Sequence, residues 1–141
     1  MLQQLLIGAG LICVTVFVMV GFIATTEGAL IRARNWLSSG RKRLKMMISL
    51  SAAVLWLLAA ITISVWIWAI TFIFLGEFQS LETAVYFAVV SFTTLGFGDV
   101  VVRQDWRLLS GMIAANGFLL FSLMTAYLIE FLANLAEIQE S

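Results

Sequence analysis

The sequence predicts an all-α membrane protein: three transmembrane helices, plus a short helix and loop that enter the bilayer without crossing it. Three observations carry this reading. Of the 141 residues, 62% are hydrophobic, where soluble domains hold roughly half. The apolar residues gather into three runs long enough for a hydrocarbon core of ~30 Å. Between the second and third runs lie a shorter apolar stretch and the glycine-rich segment Thr93–Asp99, too short to span. The chain reads as one membrane domain in two parts, an N-terminal span with a basic loop (1–45) and a second unit (46–141).

The first run, Leu5 to Ala24, is about 20 residues, enough for one crossing. Met1-Leu2-Gln3-Gln4 carries no charge and the run is long, which favours a retained span over a cleaved signal peptide. Cys13 lies inside it and reads as a small packing residue. Of the 8 Lys and Arg, Arg32, Arg34, Arg41, Lys42, Arg43 and Lys45 share one connecting segment. Such a cluster marks the cytoplasmic side, so the N-terminus is expected outside and the C-terminus in the cytoplasm. Leu30, Ile31, Trp36 and Leu37 are interleaved with Arg32, Arg34 and Asn35, as in a helix lying at the interface. Ser38-Ser39-Gly40 reads as a turn. Arg41, Lys42, Arg43 and Lys45 are placed to touch anionic lipid headgroups, although they also serve topology alone. No arginine recurs at every third position within a span, which disfavours a voltage sensor.

Met46 to Leu75 is the second span. At about 30 residues it is near 45 Å long, which implies tilt or extension beyond the bilayer. It is expected to be an outer, lipid-facing helix, with Trp66 and Trp68 in an aromatic belt. Gly76 to Ser80 form a short link. Ser80 is a plausible N-cap, with Glu82 in the first turn where the helix dipole favours an anion. Leu81 to Phe92 is then a helix too short to cross. Arg107 to Ala136 forms the last span, with Arg103 and Arg107 as interfacial anchors beside Asp105.

In Thr93-Thr94-Leu95-Gly96-Phe97-Gly98-Asp99, glycine alternates with larger residues. Glycine reaches positive φ at little steric cost, so a segment with glycine at every second position can turn successive carbonyl oxygens to one side. A row of such carbonyls can replace the hydration shell of a cation. This run resembles the selectivity filter of the potassium channel family, and the flanking helix, short helix, filter and helix extend the likeness over roughly 50–135. The likeness is to a small two-transmembrane-type pore unit with an extra N-terminal helix, and size and simplicity point to a bacterial inner-membrane protein.

The resemblance implies an outer helix at 46–75, a re-entrant pore helix at 81–92, a selectivity filter at 93–99 and an inner helix at 107–136. Four copies would surround one axis as a homotetramer. The carbonyls of Thr94, Leu95, Gly96 and Phe97 would bind K⁺ as the permeant ion, with the Thr94 hydroxyl as the innermost ring. Gly96 and Gly98 would give the backbone its geometry, and Thr93 would support the filter. Asp99 would sit just outside, held by Tyr86. Phe97 stands where the family has tyrosine, and Phe87 at the cuff position, so an apolar Phe97–Phe87 contact is expected. Val90 replaces a glutamate that some members place behind the filter.

On the last helix, Asn116, Leu119, Leu123, Ala126, Glu130, Asn134 and Glu137 share one face at helical spacing and are expected to line the inner pore. Gly117 is either a hinge or a site of close packing. Glu130 either concentrates cations at the inner mouth or reaches toward headgroups. The expected function is passive, K⁺-selective conduction. The alternatives are a weakly selective cation channel and a non-conducting channel-like subunit. The sequence holds 0 His and 1 Cys and shows no nucleophile–base pair, so no enzyme, cofactor or disulfide framework is expected, and no nucleic-acid partner.

Overall fold

The computed structural model describes residues 1–37 and 42–140. Four α-helices follow one another: α1 (Leu2–Leu37), α2 (Lys42–Phe74), α3 (Leu81–Phe92) and α4 (Arg107–Glu140), with a 3₁₀ turn at Gln104–Trp106 before α4. Three of them are long and apolar enough to cross a membrane, and α3 is not. The chain is therefore a multi-pass membrane protein of all-α class.

The first helix runs well beyond Ala24. It continues through Thr25 and Thr26 as one helix of 36 residues instead of breaking into a separate interfacial segment. Its hydroxyls allow this. Thr25 and Thr26 both donate to the Phe22 carbonyl, at 2.7 and 2.9 Å, so neither presents an unpaired polar group to its surroundings. The Ser38-Ser39-Gly40 turn and Arg41 lie outside the described residues.

α2 has one packed side and one exposed side, with Leu55, Trp66 and Phe74 on the latter. It packs against α1, α3 and α4, and α1 lies against both α2 and α4. Trp68 belongs to this packing and not to an interfacial belt: it is fully buried, with its ring 6.1 Å from Phe72. Trp66 remains half-exposed. Two residues apart on a helix is over half a turn, so the two indoles face opposite ways.

α1 and α4 run parallel and meet along their length. Gln4 at the head of α1 reaches the head of α4, where its carbonyl accepts from the Leu108 N–H at 3.2 Å and its amide donates to the Asp105 carbonyl. The first N–H groups of any helix lack intrahelical acceptors, and here one is supplied from a neighbouring helix. Further along, Thr15 and Asn116 are both buried and joined by a hydrogen bond from the Asn116 amide at 2.8 Å. Thr15 also donates to the Leu11 and Ile12 carbonyls of its own helix, each at 3.0 Å.

The candidate ion-conducting loop

α3 starts where its sequence says it should. Ser80 is extended, and its hydroxyl accepts from the Thr83 N–H at 3.1 Å. The buried residues of α3 are Ala84, Phe87, Ala88, Val90 and Phe92. Phe87 meets Phe72 edge-on at 5.1 Å and Phe78 at 5.2 Å. Only 5% of Phe87 is exposed, so little of it is left for Phe97, and among the described residues no ring contact joins the two. Phe97 itself is 65% exposed.

The end of α3 sets the loop that follows. Thr93 donates through its hydroxyl to the Val89 carbonyl at 2.8 Å. The Thr94 N–H goes back to Ser91 at 3.0 Å, and the Leu95 and Gly96 N–H groups both reach the Val90 carbonyl, at 3.0 and 3.2 Å. Val90 thus anchors the loop through its backbone, while its side chain is buried. φ is positive at every second residue: 59° at Thr94, 58° at Gly96 and 78° at Gly98. A β-branched residue at positive φ is an outlier that persists only when its surroundings enforce it; the folded-back N–H groups do so here. Among the described residues, the carbonyls of Thr94, Leu95, Gly96 and Phe97 accept no hydrogen bond. Residues 93–99 are all exposed.

Two polar contacts hold the loop from outside. Tyr86 donates its hydroxyl to Asp99 at 2.7 Å. This bond holds the Asp99 carboxyl below its ordinary range and pushes the Tyr86 hydroxyl above its own. The pairing is complete above the ordinary carboxylate range and is lost as pH falls through the lowered Asp99 value. On the alkaline side it is complete below the ordinary tyrosine value and is lost only as pH rises through the raised one. Tyr86→Phe is expected to raise the Asp99 midpoint toward the usual carboxylate range, read from the titration of its side-chain carbon by NMR. An unchanged midpoint would show that the hydroxyl does not hold the carboxylate.

The second contact joins the α2–α3 link to the chain leaving the loop. The Glu77 carboxylate accepts the Arg103 backbone N–H, its Nε–H and its terminal nitrogen, each at 2.8 Å. The Glu77 side chain is only 1% exposed. Arg103 is therefore a clamp on Glu77 and not an anchor beside Asp105.

Beneath Thr93 and Thr94 lies an open recess of about 490 Å³, walled by Phe118, Phe121, Ser122, Thr125, Ala126 and Ile129 of α4. Of the stripe read from sequence only Ala126 reaches this face. Asn116 points to α1, Leu123 packs in the core and Glu130 is exposed. Phe118, Ser122, Thr125 and Ile129 have the same helical spacing, turned around the helix. Asn116 sets the two stripes apart, because its polar group is used by Thr15. Gly117 is a point of close packing. A side-chain carbon there would lie 1.8 Å from the Phe92 carbonyl oxygen, so its absence lets the end of α3 rest on α4.

Among the described residues, no group of three or more His, Cys, Asp or Glu is placed to hold a metal ion. No curated protein and no solved structure matches the chain. A family model described as "Ion channel" matches residues 51–134, more than half of the chain and all of α3, the loop and most of α4. With three membrane-length helices and this match over most of its length, the chain belongs to this ion channel family.

Proposed function

We propose that the chain is one subunit of a homotetrameric, K⁺-selective channel in which 93–99 form the selectivity filter. The observation that carries this is positive φ at Thr94, Gly96 and Gly98, with the carbonyls of 94–97 left without partners. Exposed, unpaired backbone is tolerated at membrane depth only where protein buries it or water lines it. Four copies around one axis meet that demand, and each then supplies a quarter of every carbonyl ring. α3 is the re-entrant pore helix, with its negative dipole end toward the axis. The recess below the loop becomes a quarter of a water-filled cavity, lined by the hydroxyls of Thr94, Ser122 and Thr125. Exposed Glu130 lies further along toward the inner mouth. The basic segment faces the cytoplasm and contacts anionic headgroups there, and the head of α1 faces outside. Residues 46–141 make the pore unit and α1 is the addition to it.

The test is the reversal potential of purified protein in a planar bilayer with K⁺ on one side and Na⁺ on the other. A potential close to the K⁺ equilibrium value is expected. Clear current reversing near zero would replace this reading with a weakly selective cation channel. Absence of current at every voltage, from protein that is folded and oligomeric, would favour a non-conducting subunit.

A further inference from the structure

α1, α2 and α4 do not close on one another at the basic end of the molecule. They leave a groove of about 390 Å³, within the range of small-ligand sites. Its walls are made by small residues, Ala29 and Ala33 on α1 and Ala52 and Ala53 on α2, with Leu37 and Phe131 closing it further. Trp56 lines it and donates its indole N–H to the Thr25 hydroxyl at 3.0 Å. Thr25 and Thr26 in turn donate to their own helix. Their donors thus being spent within the protein, the groove offers little to water. An apolar cleft of this kind stays dry and accepts apolar guests, and beside a bilayer the guests at hand are acyl chains.

Charge says which hydrocarbon. Arg34 lies one turn from both Leu30 and Leu37 on α1, and Lys45 one turn from Ser49 on α2; Leu30, Leu37 and Ser49 all line the groove. Arg32 and Arg43 are close in the chain, and both are exposed. Cationic side chains beside an apolar slot match a molecule with an acyl chain and an anionic head.

We propose that this groove holds one acyl chain of an anionic glycerophospholipid, with its phosphate against Arg34 and Lys45. The proposal rests on the reading that the basic end faces the anionic leaflet. It adds a site formed jointly by α1 and the pore unit.

The full chain, purified in mild detergent from bilayers of equal phosphatidylglycerol and phosphatidylcholine, should retain phosphatidylglycerol in native mass spectra, up to one per chain. Ala29 and Ala52 are exposed in the groove from opposite walls. Ala29→Phe and Ala52→Phe should each lower retention on the order of tenfold. Arg34→Gln with Lys45→Gln should keep bound lipid but lose the preference for phosphatidylglycerol, also on the order of tenfold. In the unaltered protein, bromine-labelled phosphatidylglycerol should quench tryptophan emission saturably, and Trp56→Phe should remove the saturable part. This reading holds even if a groove-filling variant misfolds.

Unaltered protein without retained lipid would overturn the proposal and give the groove to a second copy of the chain. Retention untouched by both phenylalanine variants would overturn it in favour of headgroup contacts alone. Ion flux measured on the same preparations separates the two readings: flux with no lipid retained sinks the lipid site only, and retained lipid with no flux sinks only the channel.

Discussion

Alanine at position 117 is expected to unseat α3. The added carbon would sit 1.8 Å from the Phe92 carbonyl oxygen and 2.7 Å from its carbon. Both are backbone atoms, so no rotamer change relieves the clash and the helices must part. Overpacking of this kind costs about 1–3 kcal/mol, and a backbone clash belongs at the upper end. Because Val90 and Ser91 of the displaced turn hold the N–H groups of the loop, the loop should move with it. The expected result is a lower unfolding temperature in detergent together with loss of ion flux. Gly111→Ala is the control, since on the same helix its added carbon meets nothing within 4 Å. It should be neutral or slightly stabilising, as alanine favours helix by up to ~1 kcal/mol over glycine. Equal behaviour of the two variants would show that Gly117 serves as a flexible joint or has no special place.

Valine at position 96 is expected to do the opposite: it should spare the fold and remove conduction. A side-chain carbon at Gly96 meets nothing within 4 Å, but φ there is 58°. A left-handed conformation costs an L-residue roughly 1–2 kcal/mol, most for a β-branched one, and the backbone escapes by rotating its peptide planes. A rotated plane takes its carbonyl out of the row. The expected result is an unfolding temperature close to that of the unaltered protein, with K⁺ flux down about tenfold or more. Flux retained at Gly96→Val would mean that ions do not pass along this backbone. The contrast with position 117 is useful because one glycine is needed for space and the other for its torsion angle.

Three long helices and one short one were legible in the sequence, because hydrophobic run length decides whether a helix can cross a bilayer. The start of α3 was legible too, since Ser80 and Glu82 are local signals. Which face each helix turns inward was harder to read. In an almost wholly apolar helix, periodicity carries little contrast, and polar residues alone suggest a pore-facing side. Asn116 misled for that reason: its partner Thr15 lies on a helix that could pack anywhere around the other three. Trp68 misled similarly, as tryptophan at the end of a span serves a belt or a core equally well. The Glu77–Arg103 clamp joins two segments separated by α3 and the loop, and nothing local in either announces it. The bond between Tyr86 and Asp99 came from family likeness alone.

The pairing of Thr15 with Asn116 bears on the order in which the protein is assembled. α1 is synthesised first and α4 last, and the two residues are 101 positions apart. Thr15 can wait, because its hydroxyl is already satisfied by Leu11 and Ile12 within its own helix. Asn116 has no such refuge. Among the described residues its amide donates only to Thr15, and an unpaired amide in hydrocarbon is costly. The nascent α1 therefore acts as a receptor already seated in the membrane, and α4 gains its polar partner only by inserting beside it. A subunit made without α1 would have to expose that amide to lipid or borrow a partner from elsewhere, so the first helix made guides the last one into place.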